Sequence, residues 1–116
     1  MTPSTPLART PEPPYYAVIF TSKRTAGDHG YAAMSGRMEE LGSRSEGFLG
    51  LDSARGADGI GITVSYWRDE AAILAWKRDT EHQRAQHTGR QLWYDDYEVR
   101  VAKVERAYGK PAEPRD

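Results

Sequence analysis

Cysteine is absent from this chain of 116 residues. That removes disulfides, thiol nucleophiles and thiolate metal sites together, and it fits a reducing cytoplasm. A net charge of one sign is missing too: sixteen Lys and Arg stand against seventeen Asp and Glu, for a formal charge of −1. Without a basic excess the chain lacks the footprint that phosphate backbones demand, so nucleic acid is not an expected partner. No apolar run approaches the roughly 18 residues of a bilayer-spanning helix, and the N-terminus lacks the apolar core of a signal peptide. A soluble cytoplasmic protein with no membrane partner is expected. A chain of this length forms one domain around one core.

The prolines fall at the two ends. Pro3, Pro6, Pro11, Pro13 and Pro14 stand among Thr, Ser and Glu, a composition that cannot form a strand ladder or bury enough surface to order itself. Residues 1–14 are therefore expected to be a disordered proline-rich arm. Pro111 and Pro114 lie among charged neighbours, and residues 110–116 read as a flexible tail. The domain proper is residues 15–109.

Within it the pattern is βαββαβ. Tyr15 to Ser22 is aromatic and β-branched without a breaker, as a buried strand requires. Gly27-Asp28 supplies a turn and an N-cap, Tyr31, Met34, Met38 and Leu41 recur at helical spacing, and Gly42 offers a stop. Helix one is expected over His29 to Leu41. Phe48 to Ala54 is a second strand, Arg55-Gly56-Ala57-Asp58-Gly59 a hairpin connection, and Ile60 to Trp67 a third strand. Asp69 caps helix two, and the spacing predicts no break before Gly89. Tyr97 to Ala107 alternates as a long last strand.

The expected fold is thus α+β and ferredoxin-like, a four-stranded antiparallel sheet with both helices on one face. Strand three turns Ile60, Ile62, Val64 and Tyr66 to one side, and Trp67 with Gly61, Thr63 and Ser65 to the other. An apolar sheet face without a helix on it is normally closed by a second copy. A homodimer joined through sheet faces is expected.

The chemistry concentrates after the third strand, where Tyr66-Trp67 leads at once into a helix carrying Trp76. Large aromatics so grouped form either the core of a small domain or the wall of an apolar pocket. On an unbroken helix advancing about 100° per residue, Gln83 and His87 fall within about 20° of Trp76, whereas His82 falls about 120° away. Ile73, Trp76, Gln83 and His87 would then form one stripe that begins apolar and ends polar. His82 and His87 are five residues apart and diverge by about 140° on a helix, so no metal site is expected. The glycines of Gly56-Ala57-Asp58-Gly59-Ile60-Gly61 join two strands and do not open a helix, so they are hairpin residues and not a phosphate loop.

Ser65-Tyr66-Trp67, Ala75-Trp76-Lys77, Glu81-His82, Trp93-Tyr94 and Val104-Glu105-Arg106-Ala107-Tyr108 together resemble the antibiotic biosynthesis monooxygenase (ABM) family, in its small bacterial branch, over about Tyr15 to Tyr108. The resemblance implies a dimeric α+β barrel. It also implies oxidation of an aromatic or quinone-like small molecule by dioxygen without metal, flavin or other cofactor, or oxidative cleavage of bound haem. Cofactor-free oxygenation needs a base, donors that hold a developing negative oxygen, and a dry pocket. The candidates are His82 or His87 as base and Tyr66, Trp67, Trp76, Gln83 and Trp93 as substrate-binding residues.

The haem-cleaving pattern fits less well. Trp67 matches its tryptophan, but Gln86 aligns where an axial histidine belongs, with His87 one residue late, and Tyr15 to Ser22 contains no asparagine. The other reading is a non-catalytic dimeric barrel that binds a hydrophobic ligand.

Overall fold

In the computed structural model, residues 7–110 are described, apart from the side chains of Thr80 and Arg90. The parts of the expected arm and tail at 1–6 and 111–116 lie outside them. The element order is β1 (Tyr15–Arg24), α1 (Tyr31–Ser43), β2 (Phe48–Arg55), β3 (Ile60–Trp67), α2 (Glu70–Arg78), α3 (Thr80–Thr88), a π-helical turn (Gly89–Trp93) and β4 (Tyr94–Val104). The four strands form one sheet in the order β2-β3-β1-β4, antiparallel at every pairing. This is the ferredoxin-like α+β fold. No helix among the described residues is long and apolar enough to cross a membrane.

Two boundaries differ from expectation for identifiable reasons. Gly42 does not end the first helix, which runs on to Ser43 and is capped at Arg44. Gly42 is buried there against Trp76, and a Cβ built on it would stand an ordinary 3.8 Å from that ring. The second correction is larger: helix two is broken. Asp79 adopts φ −59°, ψ 131°, closes α2, and accepts from the backbone N–H groups of Glu81 and His82 to start α3. A side-chain acceptor at that position competes with continuation of the helix.

α1 starts two residues later than expected, at Tyr31, with Gly30 and not Asp28 at its N-cap. The Asp28 carboxylate accepts from the N–H groups of Gly30 and Ala32. The strands are longer or shifted: β1 continues to Arg24, and β4 begins at Tyr94 and ends at Val104.

Residues opposite each other in register share a face. Trp67, Ser65, Thr63 and Gly61 of β3 face the same way as Tyr16, Val18, Phe20 and Ser22 of β1, and Trp67 meets Trp76 of α2, so this is the helix side. The other side carries Ile60, Ile62, Val64 and Tyr66. Ile60 and Ile62 are 49% and 48% exposed. One corner of this side is covered by the segment before β1. There the Ala8 N–H donates to Asp52 at 2.7 Å, and the Thr10 and Tyr15 hydroxyls share a 2.7 Å hydrogen bond.

Candidate functional site

The strand end that carries Trp67 is fixed from both flanks. Phe48 stands opposite it across the β2–β3 ladder and meets it edge-on at 5.4 Å. The Trp67 indole N–H donates to Ser65 Oγ at 2.9 Å, and the residue is 1% exposed. The chain then turns through Arg68, whose N–H donates to the Gly47 carbonyl. Asp69 accepts from the Ala72 N–H at 2.8 Å, which starts α2 and aims Trp76 back over Trp67. The two rings stack at 6.1 Å with 28° between their planes.

His82 completes the stack. Its ring lies 4.6 Å from that of Trp76, tilted by 44°. His82 is brought there by the break at Asp79, which resets the rotation of α3 relative to α2. The unbroken stripe of Trp76, Gln83 and His87 therefore does not exist: Gln83 and His87 are exposed. His82 Nδ1 is buried and has no hydrogen-bond partner among the described residues. Burial pushes the imidazole below its ordinary pKa, Asp79 opposes this with its charge, and Lys77 adds to it. A neutral ring with one free nitrogen in an apolar wall can accept a proton.

A cleft of about 160 Å³ reaches the outer edge of Trp76, lined by Ser45, Glu46, Ala72, Ala75, Trp76 and Asp79. Sites for drug-sized ligands run to about 300 Å³ and more. This cleft suits one or two rings.

Two expected site residues lie elsewhere. Tyr66 points to the opposite side of the sheet from Trp67, where its hydroxyl donates to Asp52 at 2.9 Å and its ring meets Tyr15 edge-on at 5.9 Å. Its pKa is pushed up to about 12 by burial and by the hydrogen bond to Asp52. Trp93 lies at the far end of the helix side, buried, with its indole N–H donating to the His29 carbonyl at 3.0 Å and its ring edge-on to Tyr31 at 5.8 Å. Phe48 and Ser65, by contrast, join the site without having been singled out. The break that admits His82 had a signal: an N-cap residue, Asp79, followed by Glu81 in the first turn. Among the described residues no group of three or more His, Asp or Glu is placed to hold a metal ion.

The family described as antibiotic biosynthesis monooxygenase matches residues 20–88, more than half of the chain. The uncharacterized protein YqjZ of Bacillus subtilis is 55% identical over 100 residues, covering 86% of this chain and 88% of its own length. A jasmonate monooxygenase of Pyricularia oryzae is 37% identical over 43 residues, covering 37% of this chain and 20% of its own length. Among solved structures, SnoaB, a cofactor-independent oxygenase from Streptomyces nogalater, superposes with a TM-score of 0.71 at 12% identity, covering 84% of this chain and 100% of its own. That likeness concerns the fold.

Proposed function

The chain belongs to the antibiotic biosynthesis monooxygenase family, and from that premise we propose that it oxidises a small aromatic or quinone-like molecule with dioxygen, without a cofactor. The observation that carries this reading is His82: a half-buried imidazole against Trp76 whose buried Nδ1 has no hydrogen-bond partner among the described residues. Neutral His82 takes a proton from an acidic carbon or phenol of the substrate, and the charge of Asp79 favours the imidazolium that results. The substrate anion passes an electron to dioxygen. In the net reaction an acidic CH₂ group and O₂ become a carbonyl and water, or a hydroquinone and O₂ become a hydroxyquinone and water. Trp76 supplies the stacking wall, and the cleft beside it favours a substrate of one or two rings.

His87 and Gln83, both exposed, are assigned no step. Oxygen uptake with a panel of one-ring and two-ring hydroquinones, in the wild type and in His82→Ala, tests the proposal. Uptake unaffected by the substitution would sink the assignment of the base, and no uptake with any substrate would sink the reading for these classes.

A second reading, a non-catalytic barrel, is favoured by one observation. Trp67 is almost wholly enclosed and its N–H is committed to Ser65, so this ring acts as packing under Trp76 and not as a donor to substrate.

For assembly, we propose that two copies join through their open sheet faces. The support is the pair of half-exposed isoleucines, Ile60 and Ile62, at the start of the inner strand β3 on the face opposite the described helices. The absence of cysteine is in keeping with a reducing cytoplasm as the site of action.

A further inference from the structure

At the other end of the helix side, two arginines converge on one phenol. The Arg24 guanidinium lies 3.6 Å above the Tyr31 ring and is held by the carbonyls of Trp93 and Gly27, each at 3.0 Å. Arg55 lies across the sheet over Gly61. A Cβ at that glycine would stand 2.6 Å from its Cζ, so only a residue without a side chain leaves room for the guanidinium. Arg55 donates to the buried Ser22 hydroxyl at 2.7 Å and to the carbonyls of Ser22 and Gly59. Both cations are therefore fixed by neutral groups. Among the described residues, no carboxylate lies within ion-pair distance of either.

Two positioned guanidiniums without a counter-charge are an uncompensated positive site. Tyr31 lies in the same field: burial pushes its phenol up, but hydrogen bonding with Tyr94, the charge of Arg55, and hydrogen bonds with Ser35 and Arg55 together outweigh this and leave it below the ordinary value. The Arg24 Nη1 amino group donates to none of the described residues. Beside the charges, on the same face of the sheet, Phe20 and Val99 face each other two residues on from Ser22 and Tyr97; Phe20 packs against the rings of Tyr94 and Tyr97, and Val99 is 45% exposed. A guanidinium fork matches a planar carboxylate, and the adjoining surface suits an aromatic ring.

We propose that Arg24 and Arg55 form a binding site for the carboxylate of a small aromatic acid, whose ring rests on Phe20 and Val99. The site is separated from Trp67 by the six residue steps of β3 from Gly61, about 20 Å. It does not depend on oxygen chemistry at His82.

Calorimetric titration of the full chain with 2-naphthoate and with its neutral counterpart 2-naphthamide tests this. The carboxylate should bind at least about tenfold more tightly than the amide, the difference a charge-assisted pair makes. Arg55→Gln should erase that preference. Gly61→Ala should do the same, because it displaces the far end of a flexible side chain while leaving the sheet intact. Arg44→Gln, at the exposed C-cap of α1, should keep it. Equal affinity for acid and amide, no binding of either, or a preference that survives both Arg55→Gln and Gly61→Ala in folded protein would overturn the proposal.

Discussion

The His82 ring lies 4.6 Å from that of Trp76, although on a continuous helix the two side chains would point about 120° apart. The contact exists because Asp79 ends one helix and begins another.

His82→Ala should lower oxygen uptake by about a hundredfold or more, the usual contribution of a positioned general base. His87→Ala should leave it within about twofold, since His87 is exposed and surface changes act weakly. Initial rates on an oxygen electrode with one responsive hydroquinone decide both.

Because burial holds the His82 pKa below its ordinary value, the unfolded chain binds this proton more readily than the folded one. The stabilisation is fully present above the unfolded pKa of about 6.5 and is lost as pH falls through the lower folded pKa. Thermal midpoints should therefore drop on acidification from about pH 7 to about pH 5, and His82→Phe should flatten part of that slope. Parallel slopes in the two proteins would contradict the assignment.

Asp79→Ala removes the acceptor for two α3 amides. A loss of about 1 kcal/mol in denaturant titration is expected, typical of a missing N-cap. Hydrogen exchange should accelerate at the amides of Glu81 and His82.

Two glycines should respond with opposite sign. Gly42 lies inside α1, and a Cβ there meets Trp76 at an ordinary 3.8 Å, so Gly42→Ala should stabilise by about 0.5–1 kcal/mol. Gly47 has φ +86°, and its Cβ would stand 2.5 Å from that of Ala72, so Gly47→Ala should destabilise by at least about 1–3 kcal/mol. Urea melts of the two variants make the comparison.

If two copies join through the open sheet faces, Ile60→Glu with Ile62→Glu should give a monomer by sedimentation. Buried like charges meeting across a two-fold axis oppose association. A dimer unaffected by the double substitution would locate the interface elsewhere.

The sheet was legible because its signals are local and redundant. Ile60 to Trp67 alternates, the Arg55 to Gly59 segment contains the glycines a hairpin needs, and both bounds of β3 match. Asp69 announced α2 in the same way. What failed were inferences that summed a period over many residues: one side-chain acceptor at Asp79 cancelled the rotation on which Gln83 and His87 depended. Trp93 was grouped with Trp67 and Trp76 by residue type, yet it packs on Tyr31, and no linear spacing encodes that distance. Arg24 and Arg55 passed unnoticed because they are far apart in the chain and reach Tyr31 only through the pairing of β1 with β3 and of β3 with β2, and the missing side chain of Gly61.

The interruption at Asp79 also has a bearing on how such a protein changes over time. A residue that lies outside the ring stack selects which member of α3 the interior receives, much as inserting one letter shifts everything read after it. Substituting the lining residues in place explores only one reading of α3. Substituting the hinge residue exposes a different set, so relatives with nearly identical second helices would present different side chains to the same tryptophan ring.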